Sequence, residues 1–165
     1  MPAIGYRKGL QSMPSGVQAV TSKETSNLKT SIFKAFPIAA RASARDYVSG
    51  RGYIDDELIE ALTMRRLAVD GTFINYFYND LPAFTDFGWR QVIGSWLCYA
   101  IDHPDGHECQ YLIYDLRRRV GDDKVISTLS EEQKRVLISF ARDVMEIDDS
   151  QLTEMLNEIV AVLSR

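Results

Sequence analysis

The segment Asp102-His103-Pro104-Asp105-Gly106-His107-Glu108-Cys109 holds both histidines of the chain, one of its two cysteines and three carboxylates. His103, His107 and Cys109 carry the imidazole and thiolate donors that zinc accepts in a tetrahedral site, so this loop is the candidate centre of a metal-binding enzyme or sensor. All three residues fall within seven positions across one turn, whereas structural zinc sites usually draw ligands from two separated elements. As a polar connection between helices, with Asp105 as the N-cap of the next one, the segment needs no metal. The sequence reading therefore expects neither a metal nor another cofactor.

Paired carboxylates are the other resource for chemistry: Asp55-Asp56-Glu57, Asp122-Asp123, Glu131-Glu132 and Asp148-Asp149. General acid–base work needs at least one carboxylate in a desolvated pocket with a shifted pKa. Nearly all of these pairs stand at predicted helix starts, where negative charge complements the helix dipole. The sequence contains no glycine-rich phosphate loop, no G-x-S-x-G elbow and no H-E-x-x-H helix. Arg65-Arg66 and Arg117-Arg118-Arg119 have the charge to meet phosphate, but the pI is about 5.2 and the second cluster suits the last turn of a helix, so no nucleic-acid partner is expected. The expectation is binding rather than catalysis, with no catalytic residues.

Eight of the 17 aromatic residues crowd into Phe73–Trp96. Large rings supply most of the contact energy in cores and in protein-binding patches. Phe77, Phe84, Phe87 and Trp96 fall on the apolar faces of the predicted helices and read as core. Tyr76, Tyr78 and Trp89 fall off those faces and read as anchors for a protein partner. Charge points the same way. Residues 1–53 hold eight Lys/Arg against Glu24 and Asp46, a formal +6, while residues 54–165 hold 11 basic and 21 acidic residues, a formal −10. An acidic body of this kind suits a basic partner. Asp143 and Glu146, opposite the apolar stripes of the C-terminal helices, complete the predicted partner-binding set.

The elements that must position these residues read as helices. At 165 residues, 45% hydrophobic and 25% charged, the chain is long enough for one well-filled domain. No apolar run approaches the ~20 residues of a membrane span, and the first 30 residues lack a secretory h-region, so a cytoplasmic protein without membrane contact is expected. The basic stretch Lys29–Arg45 reads as an ordinary first helix pair, and Cys98 and Cys109 as reduced core residues.

Residues 1–22 read as a poorly ordered tail and 23–165 as a single helical domain. From Ser22, Leu28, Ile32, Phe33 and Phe36 make an apolar face, and Pro37 breaks the helix. A second helix spans Ile38 to Val48. A third, capped by Asp55, runs to about Ala68, with Leu58, Ile59, Leu62 and Leu67 inward. A short aromatic helix covers Thr72–Tyr78. Thr85 caps the next helix, and Glu108–Val120 follows it. Val125-Ile126 is the one β-leaning spot. Ser130-Glu131-Glu132-Gln133 is a capping box, and Asp148-Asp149-Ser150 cap the last helix, whose stripe is Leu152, Met155, Leu156, Ile159, Val160 and Leu163. The predicted fold is all-α, a bundle of about seven helices.

The order of several features resembles a bacterial helical family known as domain of unknown function 6714, from Leu28 to about Glu146. The residues that carry the resemblance are Ile32 with Ala35-Phe36, then Leu81-Pro82-Ala83-Phe84 and Phe87 before Trp89-Arg90. Ala100 with Asp102-His103-Pro104-Asp105 follows, and then Leu129-Ser130-Glu131-Glu132-Gln133 with Val136, Ile138 and Phe140. It implies a helical bacterial cytoplasmic domain and no catalytic residues. The expected function is a protein that binds and restrains a basic partner such as a toxin or nuclease, in the manner of an immunity protein or antitoxin. Two alternatives stand beside it: the metal-binding reading of the His103–Cys109 loop, and a structural adaptor or homo-oligomer scaffold.

Overall fold

The computed structural model describes residues 15–38, 42–49, 53–146 and 150–165. Among these residues every regular element is a helix: α1 (Ser15–Ala35), α2 (Ala44–Tyr47), α3 (Tyr53–Met64), α4 (Gly71–Tyr76), α5 (Asp86–Asp102), α6 (His107–Val120), α7 (Asp123–Ile126), α8 (Glu131–Asp143) and α9 (Ser150–Leu163), with 3₁₀ turns at Leu81–Ala83 and Val144–Glu146. The all-α bundle is as expected. The α-helix without an expected counterpart is the single turn α7. None of these helices is long and apolar enough to cross a membrane.

The bundle is organised around α5, which packs against α1, α2, α6 and α8. It presents Trp89, Val92, Ile93, Trp96, Leu97 and Ala100 to its neighbours, all essentially without solvent contact. Helix α1 contributes Ile32 and Phe36, the latter edge-on to Trp89. On the other side α9 packs against both α6 and α8, so that Leu112, Ile113 and Leu116, Leu137 and Phe140, and the stripe Leu152, Leu156 and Ile159 belong to one core. The capping box of α8 forms as its sequence implies, with Ser130 Oγ accepting from Gln133 N and Gln133 Oε1 accepting from Ser130 N. Gln133 also donates to the Ala35 carbonyl, tying the start of α8 to the end of α1.

The start of α5 is fixed by a junction with α2. Thr85 Oγ1 accepts from Gly88 N as N-cap and donates to the Asp46 carbonyl, while Thr85 N donates to the Tyr47 carbonyl. An antiparallel bridge between Val48 and Phe84 continues the contact. Gly88 makes it possible, because a Cβ there would overlap the carbonyl oxygen and Cα of Tyr47.

Several boundaries differ from the expectation. Helix α1 begins at Ser15, ahead of the expected Ser22, and the rest of the expected tail, residues 1–14, lies outside the described residues. Phe33 is half exposed, turned away from the face that buries Ile32 and Phe36. The second helix is the single turn α2. Asp55 is no N-cap: it lies within the first turn of α3, buried, and accepts from Ser49 Oγ at 2.8 Å. Helix α3 stops at Met64 because Arg66 (φ 51°) and Leu67 (φ 66°) are left-handed. Leu67 N reaches back to the Leu62 carbonyl and Arg66 N to that of Thr63, a Schellman closure made without glycine. Gly106 replaces Asp105 as N-cap of α6. Val125-Ile126 is helical, in α7. Phe87 is exposed at 44%, packed edge-on to Tyr47 rather than in the core. Asp148 and Asp149 lie outside the described residues.

A Gly88→Ala variant should lose about 3 kcal/mol or more of stability, because backbone rather than a movable side chain occupies the space. Urea unfolding measures it. A loss under about 1 kcal/mol would mean that α2 detaches from α5 at little cost.

Candidate functional site

The expected anchors separate into one core residue and two different surface positions. Trp89 is 1% exposed, and this corrects its reading as a partner contact. Its indole Nε1 donates to Asp115 Oδ2 at 2.9 Å. Asp115 stands among the apolar positions of α6 at 3% exposure, with Arg119 one turn on at 4%. Arg119 Nε donates to the same Asp115 oxygen, and its terminal nitrogens reach Asp86 and the carbonyls of Leu81 and Phe84. The guanidinium also lies 5.0 Å from the Trp89 ring centroid, a geometry that favours cation–π attraction. Burial holds the Arg119 pKa below the usual guanidinium value, and the Asp115 charge acts in the opposite direction. The Arg117–Arg119 run is therefore more than a dipole complement: Arg117 pairs with Glu158, Arg118 with Asp115, and Arg119 is an internal cross-link.

Tyr78 is partly buried and edge-on to Tyr111 at 5.0 Å, with Tyr111 in turn edge-on to Tyr114. Leu81 and Pro82 complete a small cleft of about 120 Å³ beneath them.

Tyr76 is the anchor that reaches solvent, at 66% exposure, and Met64 at the end of α3 is more exposed still, at 78%. The two flank a groove of about 350 Å³ between α3 and α4, whose other walls include Phe73, Phe77, Glu57 and Glu60. Tyr76 Oη donates to Glu57 Oε1 at 2.8 Å, which holds the ring upright at the groove edge. Asp70 caps α4 through Phe73 N and clasps Arg65 with both oxygens at 2.9 Å. The guanidinium of Arg65 is thereby placed 5.9 Å from the Phe73 ring centroid. The surroundings are acidic. Residues 55–80 contain Asp55, Asp56, Glu57, Glu60, Asp70 and Asp80 against Arg65 and Arg66. Asp80 reports the result: partial burial, reinforced by the charges of Glu57 and Asp55, pushes its pKa above the ordinary carboxylate value.

Asp143 is exposed on α8 but lines a different groove, of about 880 Å³ between α1 and α8, where Glu24 and Glu132 face Arg135 and Arg142. The side chain of Glu146 lies outside the described residues. Tyr76, Tyr78 and Asp143 therefore line three different grooves. In the loop before α6, His103 is exposed and in tilted ring contact with Tyr99 at 4.4 Å, and His107 is exposed at the first position of α6. Cys109 has no solvent contact, and burial together with Asp105 and Glu108 pushes its thiol pKa up to about 12. Zinc requires the thiolate. Among the described residues no three His, Cys, Asp or Glu side chains are placed to hold a metal ion. Both cysteines are free thiols.

Sequence reasoning missed Met64, Glu57 and Glu60 as groove residues, and Asp115 and Arg119 as core. The second pair had a signal. Leu112, Asp115 and Arg119 follow helical spacing along the buried side of α6. No family model matches the chain, and neither a curated protein nor a solved structure matches it.

Removing the Asp115 carboxylate leaves Arg119 charged and buried, so Asp115→Ala should cost about 3–5 kcal/mol in denaturant unfolding. Pairing it with Arg119→Met should recover much of that loss. Equal losses in the single and double variants would show that the buried charge is not the cause. For Asp80 the folded protein binds the proton more tightly than the unfolded chain, so its charged form opposes folding. Stability falls as pH rises through the carboxylate range and stays lower above it. Asp80→Asn should therefore raise the melting temperature at pH 7, with the gain vanishing at a pH below about 3.9, the ordinary Asp value. A gain that persists in acid would assign the effect to packing.

Proposed function

We propose that this chain is a protein-binding inhibitor, of the immunity or antitoxin kind, that restrains a basic partner through its acidic helical body. One observation carries the reading. Among the described residues the two most exposed large apolar side chains, Met64 and Tyr76, flank a single groove that Glu57 and Glu60 line. Apolar side chains left in water beside a concave surface mark an interaction site, and the surrounding carboxylates select the sign of the partner. The formal −10 of residues 54–165 adds long-range attraction, which speeds encounter with a basic surface at low salt. Trp89 has no part in this surface. Its indole belongs to the interior, and the anchors are Tyr76 and Met64 on the ends of two short helices.

Affinity capture from the source cell on the immobilised full chain, at low and then raised salt, should retain a basic protein whose yield falls as salt rises. Tyr76→Ala and Met64→Ala should each speed its dissociation, together costing about 2 kcal/mol or more of binding, with unchanged far-ultraviolet circular dichroism. Capture of no partner would overturn the reading, as would a partner retained equally by both variants.

A further inference from the structure

We infer that the groove between α3 and α4 receives a single Arg or Lys side chain of the partner protein, its aliphatic stem against Met64 and Tyr76 and its cationic head against Glu57 and Glu60. This rests on the protein-binding reading above and names the occupant. The walls of the groove combine an apolar floor, Phe73 and Phe77, with two carboxylates at the rim. Among the described residues neither Glu57 nor Glu60 forms an ion pair, and the one polar contact shown for Glu57 comes from the neutral Tyr76 hydroxyl.

A purely apolar anchor would strip water from both carboxylates and return nothing to them. A long cationic side chain meets both demands, because its methylenes cover apolar surface while its head stays with the charge. The groove already contains one example of this arrangement. Arg65 lies over the Phe73 ring with its guanidinium clasped by Asp70. Tyr76 with its hydrogen-bonded Glu57 again pairs a ring with a carboxylate in the same groove. Partial burial raises the Asp80 pKa, and the charges of Glu57 and Asp55 raise it further, which agrees with an acidic field on this side of the groove. The same field disfavours a nucleic acid or an anionic membrane as the occupant.

Three synthetic peptides of identical Ala/Leu sequence, with Arg, Lys or citrulline at the centre, test the inference by titration into the isotope-labelled full-length chain. Citrulline keeps the shape of arginine and removes its charge. The Arg and Lys peptides should shift the resonances of Met64, Tyr76, Glu57 and Glu60 saturably, and the citrulline peptide should bind at least tenfold more weakly. Glu57→Gln with Glu60→Gln should abolish that difference while leaving the spectrum of the rest of the chain in place. The Asp80 carboxyl should titrate at lower pH in the presence of the Arg peptide. Equal binding of the Arg and citrulline peptides would overturn the inference, as would shifts confined to the Tyr78–Tyr111–Tyr114 cleft or to the α1–α8 groove. A captured partner that the double Gln variant still holds would remove this occupant and leave the protein-binding reading intact. Peptide binding with no captured partner would do the reverse.

Discussion

Asp115 is the group on which the arrangement of the other elements depends. A carboxylate and a guanidinium are taken out of water together in the middle of α6, and desolvating two ions costs several kcal/mol each unless every polar atom is met. Here they are met from three directions. Trp89 reaches in from α5, Arg118 closes the second Asp115 oxygen, and Arg119 spends its remaining donors on Asp86 and on the carbonyls of Leu81 and Phe84. Those carbonyls belong to the stretch between α4 and α5, where the Leu81 carbonyl also accepts from Phe84 N to close the 3₁₀ turn. One arginine thus fixes the 3₁₀ turn, the first residue of α5 and the direction in which α4 enters.

The exposed surface follows from that constraint. Phe84, held by Arg119 at its carbonyl, bridges to Val48, and Thr85 binds the end of α2. Helix α3 packs chiefly on α2, so its position is inherited from this junction rather than from the central layer. Helix α4 is anchored separately, through Phe73 and its edge contact with Trp96. The groove forms where these two lines of support meet. Its walls come from elements that are short and bury few side chains, the kind of element whose local opening is easiest. The rigid part of the molecule therefore positions the site without forming it.

Most of the helices were legible because their boundaries are written in local chemistry. Ser130 with Gln133, Thr85 before Asp86, and the Leu152–Leu163 stripe each need only neighbours in sequence. Trp89 was not legible in that way. Helical-wheel reasoning assumes one buried face, but α5 has neighbours in α1, α2, α6 and α8 and buries Gly88, Trp89, Val92, Ile93, Gly94, Trp96 and Leu97. A residue off the main stripe is then still inside. The end of α3 was hidden for another reason, since Arg66 and Leu67 adopt a conformation that glycine normally signals. Met64 and Glu57 could not be recognised as site residues from sequence, because the groove exists only once α4 lies beside α3. Asp115 and Arg119 were within reach, at i and i+4 on an apolar face, but their charge suggested the surface.

The charges near the groove also separate what stabilises the chain from what equips it to bind. In the interior Asp115 and Arg119 have each other and a set of hydrogen bonds, and that network holds elements together. Around the groove the carboxylates outnumber the cations, Arg65 is already engaged by Asp70, and partial burial, reinforced by the charges of Glu57 and Asp55, biases Asp80 toward its neutral form. Like charges at this spacing oppose folding, and exposed Met64 and Tyr76 add nothing to the core. Both features become favourable in the same event, when a cationic side chain with an apolar stem enters. The repulsion falls, the apolar surface is covered, and neither change requires the Asp115 network to move. Local strain of this electrostatic kind is tolerated because α3 and α4 hang from a frame in which Asp115 and Arg119 are paired with each other.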